Sequence, residues 1–462
     1  MRRARPAQGC RRRAFTACGD RRYVAGDAGT THLDSPLMSF PARRFGRSRS
    51  RLLRAAAGRA LVVAGLAVAP SAAHAQGAAA AAPGVVPGVE VLLRDSLHLL
   101  RGKRVGLVTN HSGRDRRGVR TIDLLAGAPG VRLTAIFGPE HGVGGQARGG
   151  EHIASGRDPA TGVRVHSLYG ERLAPTPAML ADVDVLVYDV QDVGTRAYTF
   201  VWTMTLCAEA AGGRPFIVLD RPDPIRADRV EGGLMRPAYR SFVGRHPVPA
   251  RYGLTPGELL RALVGTGRLR ALVTVIPMSG YRRSMWYDET GIPWVNPSPN
   301  VRDVEAALLY PGIVFVEATN LSEGRGTATP FRVVGAPWMT DAGAIARQLD
   351  ARRLPGVRFD STSRTIARGE KFGGRRIPMI AIRVTDRDSL RAVDVGAHLL
   401  RAIYARHPGE WRWKGRGIEE LSGSRALRRA VERGGVERLL REWRGEGERF
   451  REESAPYFLY PP

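Results

Sequence analysis

The stretch Val183-Asp-Val-Leu-Val-Tyr-Asp189, which continues as Val190-Gln-Asp-Val-Gly-Thr-Arg196, decides the fold class of this chain. Valine, leucine and tyrosine fill five of its first seven positions, and polar side chains begin where that apolar run ends. A short apolar run that stops at a polar turn is typical of a strand buried on both faces of a parallel sheet. The stretch therefore predicts a buried strand over residues 183–189.

Four similar apolar runs lie on either side of this strand, and helical patterns separate them. The predicted strands are 105–109, 132–137, 183–189, 215–219 and 272–276, and the predicted helices are 121–126, 198–211 and 256–264. Buried strands that alternate with helices predict a parallel sheet covered on both faces. We therefore predict an α/β fold with a Rossmann-like, doubly wound parallel sheet over residues 88–305.

The pattern changes after residue 305. Apolar segments at 304–318, 355–359 and 376–385 alternate with helices near 340–352, 387–405 and 424–442. This mixture predicts a second, smaller α+β domain over residues 306–462, which is an ordinary domain size. The aromatic tail over 454–462 is expected to dock on a core.

The first 75 residues form an N-terminal extension with the pattern of an export signal. Seven arginines and no acidic residue lie between Arg43 and Arg59, an apolar run follows, and Ala73-His-Ala75 provides an A-x-A cleavage site. This order predicts a signal peptide with Met38 as its true start, and a periplasmic or secreted protein. The apolar run is too short to span a bilayer, so no membrane span is expected after cleavage. Residues 76–87 are Ala-, Gly- and Pro-rich and predict a linker.

The formal net charge of +27 must first be divided between the N-terminal extension and the rest of the chain, before it can indicate a binding partner. Residues 1–75 hold 15 arginines and three acidic residues, a net of +12, which leaves +15 spread over the rest of the chain. No basic patch interleaved with aromatic residues accompanies this charge, so no nucleic-acid partner is expected. A basic surface suits an anionic polymer such as the bacterial cell wall.

The cysteines and the cofactor-binding motifs indicate neither a disulfide nor a bound nucleotide. Cys10 and Cys18 precede the predicted cleavage site, which leaves Cys207 as a single thiol that cannot form an internal disulfide. Its apolar, helical surroundings predict a small core residue. Neither a G-x-G-x-x-G motif nor a Walker-type loop follows the first strand, so no nucleotide cofactor is expected.

Polar side chains follow four of the predicted strands, at the point where each strand ends. In an open parallel sheet, ligands bind outside the carboxyl ends of the strands. A carboxylate in such a crevice can act as acid, base or nucleophile, and Glu140 is the best placed, with His141 or Asp192 to assist it. The residues at the four strand ends are Asn110 and His111; Glu140 and His141; Asp192, Arg196 and Tyr198; and Asp220 and Arg221.

Two other functions compete with this interpretation. A metal-dependent hydrolase or esterase could use Glu140, His141 and His111, but no H-E-x-x-H or comparable ligand spacing occurs, so no bound metal is predicted. A non-catalytic cell-wall-binding protein would suit the basic charge and would not need Glu140.

Six motifs occur in this order along the chain: Phe137-Gly-Pro-Glu-His-Gly142, Ser167-Leu-Tyr-Gly170, Asp189-Val-Gln-Asp-Val-Gly-Thr-Arg196, Leu219-Asp-Arg-Pro-Asp-Pro-Ile225, Asn296-Pro-Ser-Pro-Asn300 and Glu317-Ala-Thr-Asn-Leu-Ser-Glu-Gly-Arg-Gly-Thr327. Together they resemble the motifs of the exo-acting β-N-acetylmuramidases. The resemblance covers nearly all of residues 88–462. It implies that the chain is an exported glycoside hydrolase that releases N-acetylmuramic acid from non-reducing ends of peptidoglycan fragments. It also implies a catalytic glutamate on a Rossmann-like domain and a smaller C-terminal domain that closes the cleft.

The resemblance places the catalytic glutamate at Glu140, and it implies peptidoglycan-derived muramyl saccharides as binding partners. Glycoside cleavage also needs a second group, which Asp192, Glu323, Asp220 or the acetamido group of the substrate could supply. Muramic acid carries a lactyl carboxylate, and a guanidinium binds carboxylate in a bidentate manner, so Arg196 and Arg325 are candidates for its recognition.

Other residues are expected to contact the same saccharide. Asn300 and Asn320 lie beside Pro- or Gly-rich turns and could hydrogen-bond sugar hydroxyls. Further expected ligands are the strand-end residues Asn110, His111, Asp220 and Arg221, together with Glu323, and the aromatic side chains of Tyr169, Tyr198 and Trp294, which could stack on a sugar face.

Overall fold

The computed structural model describes residues 84–147, 151 and 154–462. The predicted signal peptide and most of the predicted linker lie outside these residues. Within the described ranges, no helix combines the length and the apolar composition needed to cross a bilayer.

A seven-stranded sheet forms the first half of the described chain, and it confirms the predicted α/β class. Its strands are β1 (Arg104–Thr109), β2 (Arg132–Gly138), β3 (Gly156–Arg157), β4 (Arg164–Ser167), β5 (Val185–Asp189), β6 (Pro215–Leu219) and β7 (Leu272–Ile276). The strand order is β3-β4-β2-β1-β5-β6-β7. All neighbours are parallel except β3 and β4. The order runs outward in both directions from β1, as in a doubly wound sheet.

Alternate side chains of the sheet pack into two separate cores. In β5, Leu186 and Tyr188 join the larger core, whereas Val185 and Val187 join the smaller one on the opposite face. This division follows from the period of two along a strand. A strand covered on both faces must be apolar at every position, which explains the uninterrupted apolar runs in the sequence.

The helices of the first half cover these two faces. They are α1 (Gly88–Val91), α2 (Thr121–Ala126), α3 (Phe200–Ala210) and α4 (Pro256–Gly265). The start of α4 is fixed by a capping box between Thr255 and Glu258 and by Pro256 in its first turn. Cys207 lies buried within α3 as a free thiol, and its prediction as a core residue is confirmed.

The second half contains six helices and a three-stranded antiparallel sheet in the order β8-β10-β9. Its strands are β8 (Val333–Gly335), β9 (Val357–Thr365) and β10 (Arg376–Val384), and its helices are α5 (Val304–Ile313), α6 (Ala342–Asp350), α7 (Ala392–Arg406), α8 (Gly417–Ser422), α9 (Ala426–Arg433) and α10 (Val436–Ser454). The described residues form one compact unit. The boundary at residues 305 and 306 therefore stays a prediction.

The segment 304–318, described from the sequence as an apolar segment that alternates with helices, is itself helical. It forms α5 and a following 3₁₀ turn over Val314–Ala318. The backbones of α5 and α7 approach so closely that a Cβ atom on Gly312 would lie 1.8 Å from the carbonyl oxygen of Ala392. Almost every residue of α5 is buried, so the helix lacks the polar face that would have revealed its period in the sequence.

The C-terminal tail docks on the first half, as predicted. The Tyr460 hydroxyl donates to Asp220 Oδ2 at 2.6 Å, and the Leu459 amide donates to Glu258 Oε1 at 2.9 Å. The tail thereby covers the carboxyl end of β6.

Candidate active site

A cleft of about 780 Å³ opens beside the carboxyl end of β2. Both halves of the described chain contribute to its walls. Its polar and aromatic lining residues are Glu140, His141, Gln146, Tyr169, Tyr198, Thr199, Phe242, Ser298, Asn300, Arg302, Tyr310, Glu317, Glu323, Arg325, Phe331, Arg368, Glu370, Lys371 and Lys414. The cleft therefore brings together seven predicted site residues: Glu140, His141, Tyr169, Tyr198, Asn300, Glu323 and Arg325.

Glu140 lies in a tight turn that follows β2 directly. The Gly142 amide donates to the carbonyl of Pro139 at 2.9 Å, and both His141 and Gly142 have positive φ values, 67° and 70°. A positive φ is unfavourable for a non-glycine residue and is found mainly where function or tertiary contacts require it. This turn takes the chain out of the strand direction next to Glu140, which remains partly exposed in the cleft.

The Glu140 carboxylate is oriented by one hydroxyl. Thr199 Oγ1 donates to Glu140 Oε2 at 2.6 Å, and Thr199 directly precedes the first turn of α3. Two buried phenols lie in the same cleft, with the Tyr198 ring edge-on to the Tyr310 ring at 5.6 Å. Burial is the main cause that raises the pKa of each phenol, and the negative charge of Glu140 adds to it.

The two histidines near Glu140 are held by backbone carbonyls. His141 Nδ1 lies 2.7 Å from the carbonyl oxygen of Ala147, and His111 Nε2 lies 2.6 Å from that of Asn296. Because a carbonyl oxygen can only accept, each of these nitrogens carries the proton. Within the described ranges, no three His, Cys, Asp or Glu side chains converge to form a potential metal site.

The wall contributed by the second half is a network of alternating charges. Arg325 contacts the Glu317 carboxylate, and its Nε lies 3.0 Å from Glu323 Oε1. Lys371 Nζ lies 3.2 Å from Glu323 Oε2. Removal from solvent raises the pKa of Glu317, and the charge of Arg325 opposes that shift. The guanidinium of Arg325 also stacks over the Phe331 ring.

Four predicted substrate ligands, the residues at the ends of β1 and β6, do not line the cleft. Asn110 Oδ1 accepts from the amide and hydroxyl of Ser112 and is buried. The Nε2 atom of His111 already bonds the backbone carbonyl of Asn296. Asp220 accepts hydrogen bonds from Thr255, Gly257 and Tyr460 and is completely buried.

The fourth of these residues, Arg221, forms a buried ion pair with Asp189. Its Nη2 donates to Asp189 Oδ2 at 2.9 Å and to the carbonyl of Arg114 at 2.8 Å. Thr121 donates from its hydroxyl to the same carboxylate. This pair fills the crevice between the ends of β1 and β5, the position where doubly wound sheets often bind their ligand.

Asp192 is buried behind the cleft and does not line it. Its Oδ2 accepts from the Gly194 amide at 2.8 Å and from the Tyr252 hydroxyl. Burial raises the pKa of Asp192 to about 7, against an ordinary value of 3.8. A direct role in assisting Glu140, as expected from the sequence, does not fit this position.

We expect Asp192→Asn to flatten the pH dependence of stability. The unfolded chain releases this proton near pH 4 and the folded chain near pH 7, so the folded state holds the extra proton between these values. Its contribution to the free energy of unfolding therefore falls as pH rises through that window, by about 1–4 kcal/mol. Denaturant midpoints at pH 5 and pH 8 test this. An unchanged difference between the two pH values in the variant would contradict the assignment.

Arg196 is completely buried and binds carbonyl groups instead of a carboxylate. Its Nη1 donates to Gly233 at 2.8 Å and Val248 at 2.6 Å, and its Nη2 donates to Leu421 at 2.8 Å. Burial lowers its pKa to about 9. Its position does not fit the expectation that Arg196 binds a lactyl carboxylate.

The remaining predicted ligands divide between the cleft and the surrounding structure. Asn300 and Tyr169 line the cleft. Asn320 instead donates from Nδ2 to the carbonyl of Glu410 and accepts at Oδ1 from the amide of Arg412. The indole of Trp294 donates to Asn296 Oδ1. These two side chains therefore support the fold beside the cleft.

Sequence reasoning missed Thr199, Glu317, Lys371 and Lys414. Thr199 lies three residues after the predicted Arg196, and Glu317 opens a motif whose later residues Glu323 and Arg325 were chosen. The two lysines could have been identified from composition, because lysine is rare in this chain.

Comparisons with known proteins agree on one family. Two family models, described as exo-beta-N-acetylmuramidase NamZ, N-terminal and C-terminal, match residues 105–305 and 308–460. The peptidoglycan beta-N-acetylmuramidase NamZ of Bacillus subtilis is 39% identical over 382 residues, which are 82% of this chain and 92% of that protein.

Solved structures with the same fold come from Bacteroides fragilis. Two crystal structures of DUF1343 family proteins superpose with TM-scores of 0.76 and 0.65, at 35% and 27% identity. They cover 81% and 82% of this chain and 99% of each solved chain.

Proposed function

The chain belongs to the exo-β-N-acetylmuramidase NamZ family, and we propose that its cleft releases N-acetylmuramic acid from non-reducing ends of peptidoglycan fragments, with Glu140 as the catalytic carboxylate. Family membership makes the chain a glycoside hydrolase. The individual roles of the cleft residues are our proposal.

One observation carries the assignment of Glu140. Its carboxylate is partly exposed in the cleft, accepts a hydrogen bond from Thr199, and has no basic partner among the described residues. Glu317 and Glu323, by contrast, both form salt bridges with Arg325, and Glu323 forms a second one with Lys371. A carboxyl group that acts on a glycosidic bond needs a fixed orientation and access to substrate, and Glu140 has both.

The candidates for the second catalytic group become fewer. Cleavage adds water across the glycosidic bond, so one group protonates the leaving oxygen and another attacks the anomeric carbon or activates water. Asp192 and Asp220 are buried outside the cleft. Glu317 and Glu323 remain within reach of substrate, together with the acetamido group that the substrate itself carries.

We also propose that the protein acts outside the cytoplasm. The support is the order of a basic segment, a short apolar run and an A-x-A site before residue 76. Export would bring the cleft to its polymeric substrate.

A pair of chromogenic substrates tests the proposed activity. We expect the protein to hydrolyse a chromogenic β-N-acetylmuraminide and to leave the matching glucosaminide, which lacks only the lactyl group, intact. Colour release from both substrates would contradict the specificity, and release from neither would contradict the activity.

A further inference from the structure

Lysine is almost absent from this protein, and two of its lysines lie side by side in the cleft. The chain of 462 residues has 71 basic residues, of which 68 are arginine and three are lysine: Lys103, Lys371 and Lys414. In a chain that uses arginine almost everywhere, two neighbouring lysines at one site indicate that the site requires an ammonium group.

The structure holds both lysines in place. Lys371 donates to the carbonyl of Leu321 and lies 3.2 Å from Glu323 Oε2. Lys414 belongs to a loop fixed by its own amide, which donates to the carbonyl of Ala318 at 2.8 Å. Burial lowers the pKa of Lys414, the charge of Lys371 lowers it further, and the charges of Glu323 and Glu317 oppose that shift.

The charges on this wall of the cleft do not balance. Glu317, Glu323 and Glu370 supply three negative charges, and Arg325, Arg368, Lys371 and Lys414 supply four positive charges. Lys414 forms no salt bridge with any described residue, and its side chain is exposed to the cleft. One positive charge therefore lacks a protein partner, and a single anionic group on a ligand would neutralise it and relieve the repulsion between the lysines.

We propose that Lys371 and Lys414 form the subsite that binds the lactyl carboxylate of the terminal muramyl residue. This proposal rests on the proposed function, because it assigns a part of that substrate to this wall. The lactyl carboxylate is the feature that distinguishes a muramyl from a glucosaminyl residue, so the lysine pair is the source of discrimination between them.

The chemistry of lysine explains why arginine does not replace it here. Arg325 already occupies this wall and is committed to two carboxylates of the protein. An ammonium is a compact point charge on a flexible stem, so two of them can approach one carboxylate where two planar guanidinium groups would crowd each other.

The test combines a variant of the exposed lysine with two forms of the substrate. The substrates are a chromogenic β-N-acetylmuraminide with a free lactyl acid and its methyl ester, which has no charge. We expect the wild type to have the lower KM for the acid. Lys414→Met should raise KM for the acid about tenfold, with little change in kcat and no change with the ester.

Lys103→Met is the matched control, because Lys103 is exposed just before the amino end of β1, whereas the cleft lies at the carboxyl ends of the strands. It should leave both substrates unaffected. If Lys414→Met keeps the wild-type preference for the acid, the lysine subsite is wrong although the muramidase activity stands. If the wild type cleaves neither substrate, the proposed function itself fails.

Discussion

Glu140→Gln is expected to lower kcat about a thousandfold or more, because glutamine can neither transfer a proton nor attack the anomeric carbon. The amide oxygen can still accept the hydrogen bond from Thr199, so the turn and the cleft should keep their shape. Hydrolysis of the chromogenic muraminide measures the loss, and circular dichroism checks the fold.

The same chemical change elsewhere provides the control. Glu442 lies on the exposed face of α10, and the Glu442→Gln protein should retain wild-type activity. The Glu140→Gln protein should still bind muramyl fragments, since binding does not require the carboxylate. Retention of more than a tenth of the wild-type kcat would contradict a catalytic role for Glu140.

Asp189→Asn is expected to lower the free energy of unfolding by about 3–5 kcal/mol, because it leaves the buried guanidinium of Arg221 without a counter-charge. Asp189 is completely buried, and Arg221 is nearly so. The shape of the side chain is preserved, so the loss reports the charge. Denaturant titration followed by tryptophan fluorescence gives the change in midpoint.

Two further variants make this result specific. Asp182→Asn removes an ion pair whose carboxylate is 86% exposed, and it should cost less than about 1 kcal/mol. The double variant Asp189→Asn/Arg221→Met removes both charges and should recover part of the lost stability. A loss for Asp189→Asn as small as that for Asp182→Asn would mean that the buried pair does not stabilise the sheet.

The sheet could be predicted from the sequence because the interior positions of its central strands are apolar on both faces. The five predicted strands all occur, whereas β3 and β4 were missed because they are short and rich in polar residues at the edge of the sheet. The helix within the segment 304–318 was not recognised for a related reason. Burial on all sides makes α5 as uniformly apolar as a buried strand, so its composition cannot reveal its helical period.

The site was predicted in part, because the sequence shows which residues follow a strand but not which strand ends stay open. Glu140 lies at an open end. Asp220 follows β6 in the same way, yet Tyr460, which lies 240 residues later, covers it. Arg221 fills the crevice beside β1 by pairing with Asp189. Contacts between such distant residues depend on tertiary packing, which local patterns do not contain.

The most direct measurement follows the products released from purified peptidoglycan chains by the wild type and by Glu140→Gln. With the wild type, N-acetylmuramic acid should be the first product, should accumulate as a free monosaccharide, and should come only from chains with that sugar at the non-reducing end. The variant should release none above background. Release of disaccharides or longer fragments by the wild type, or equal release by both proteins, would contradict exo-cleavage by Glu140 in this cleft.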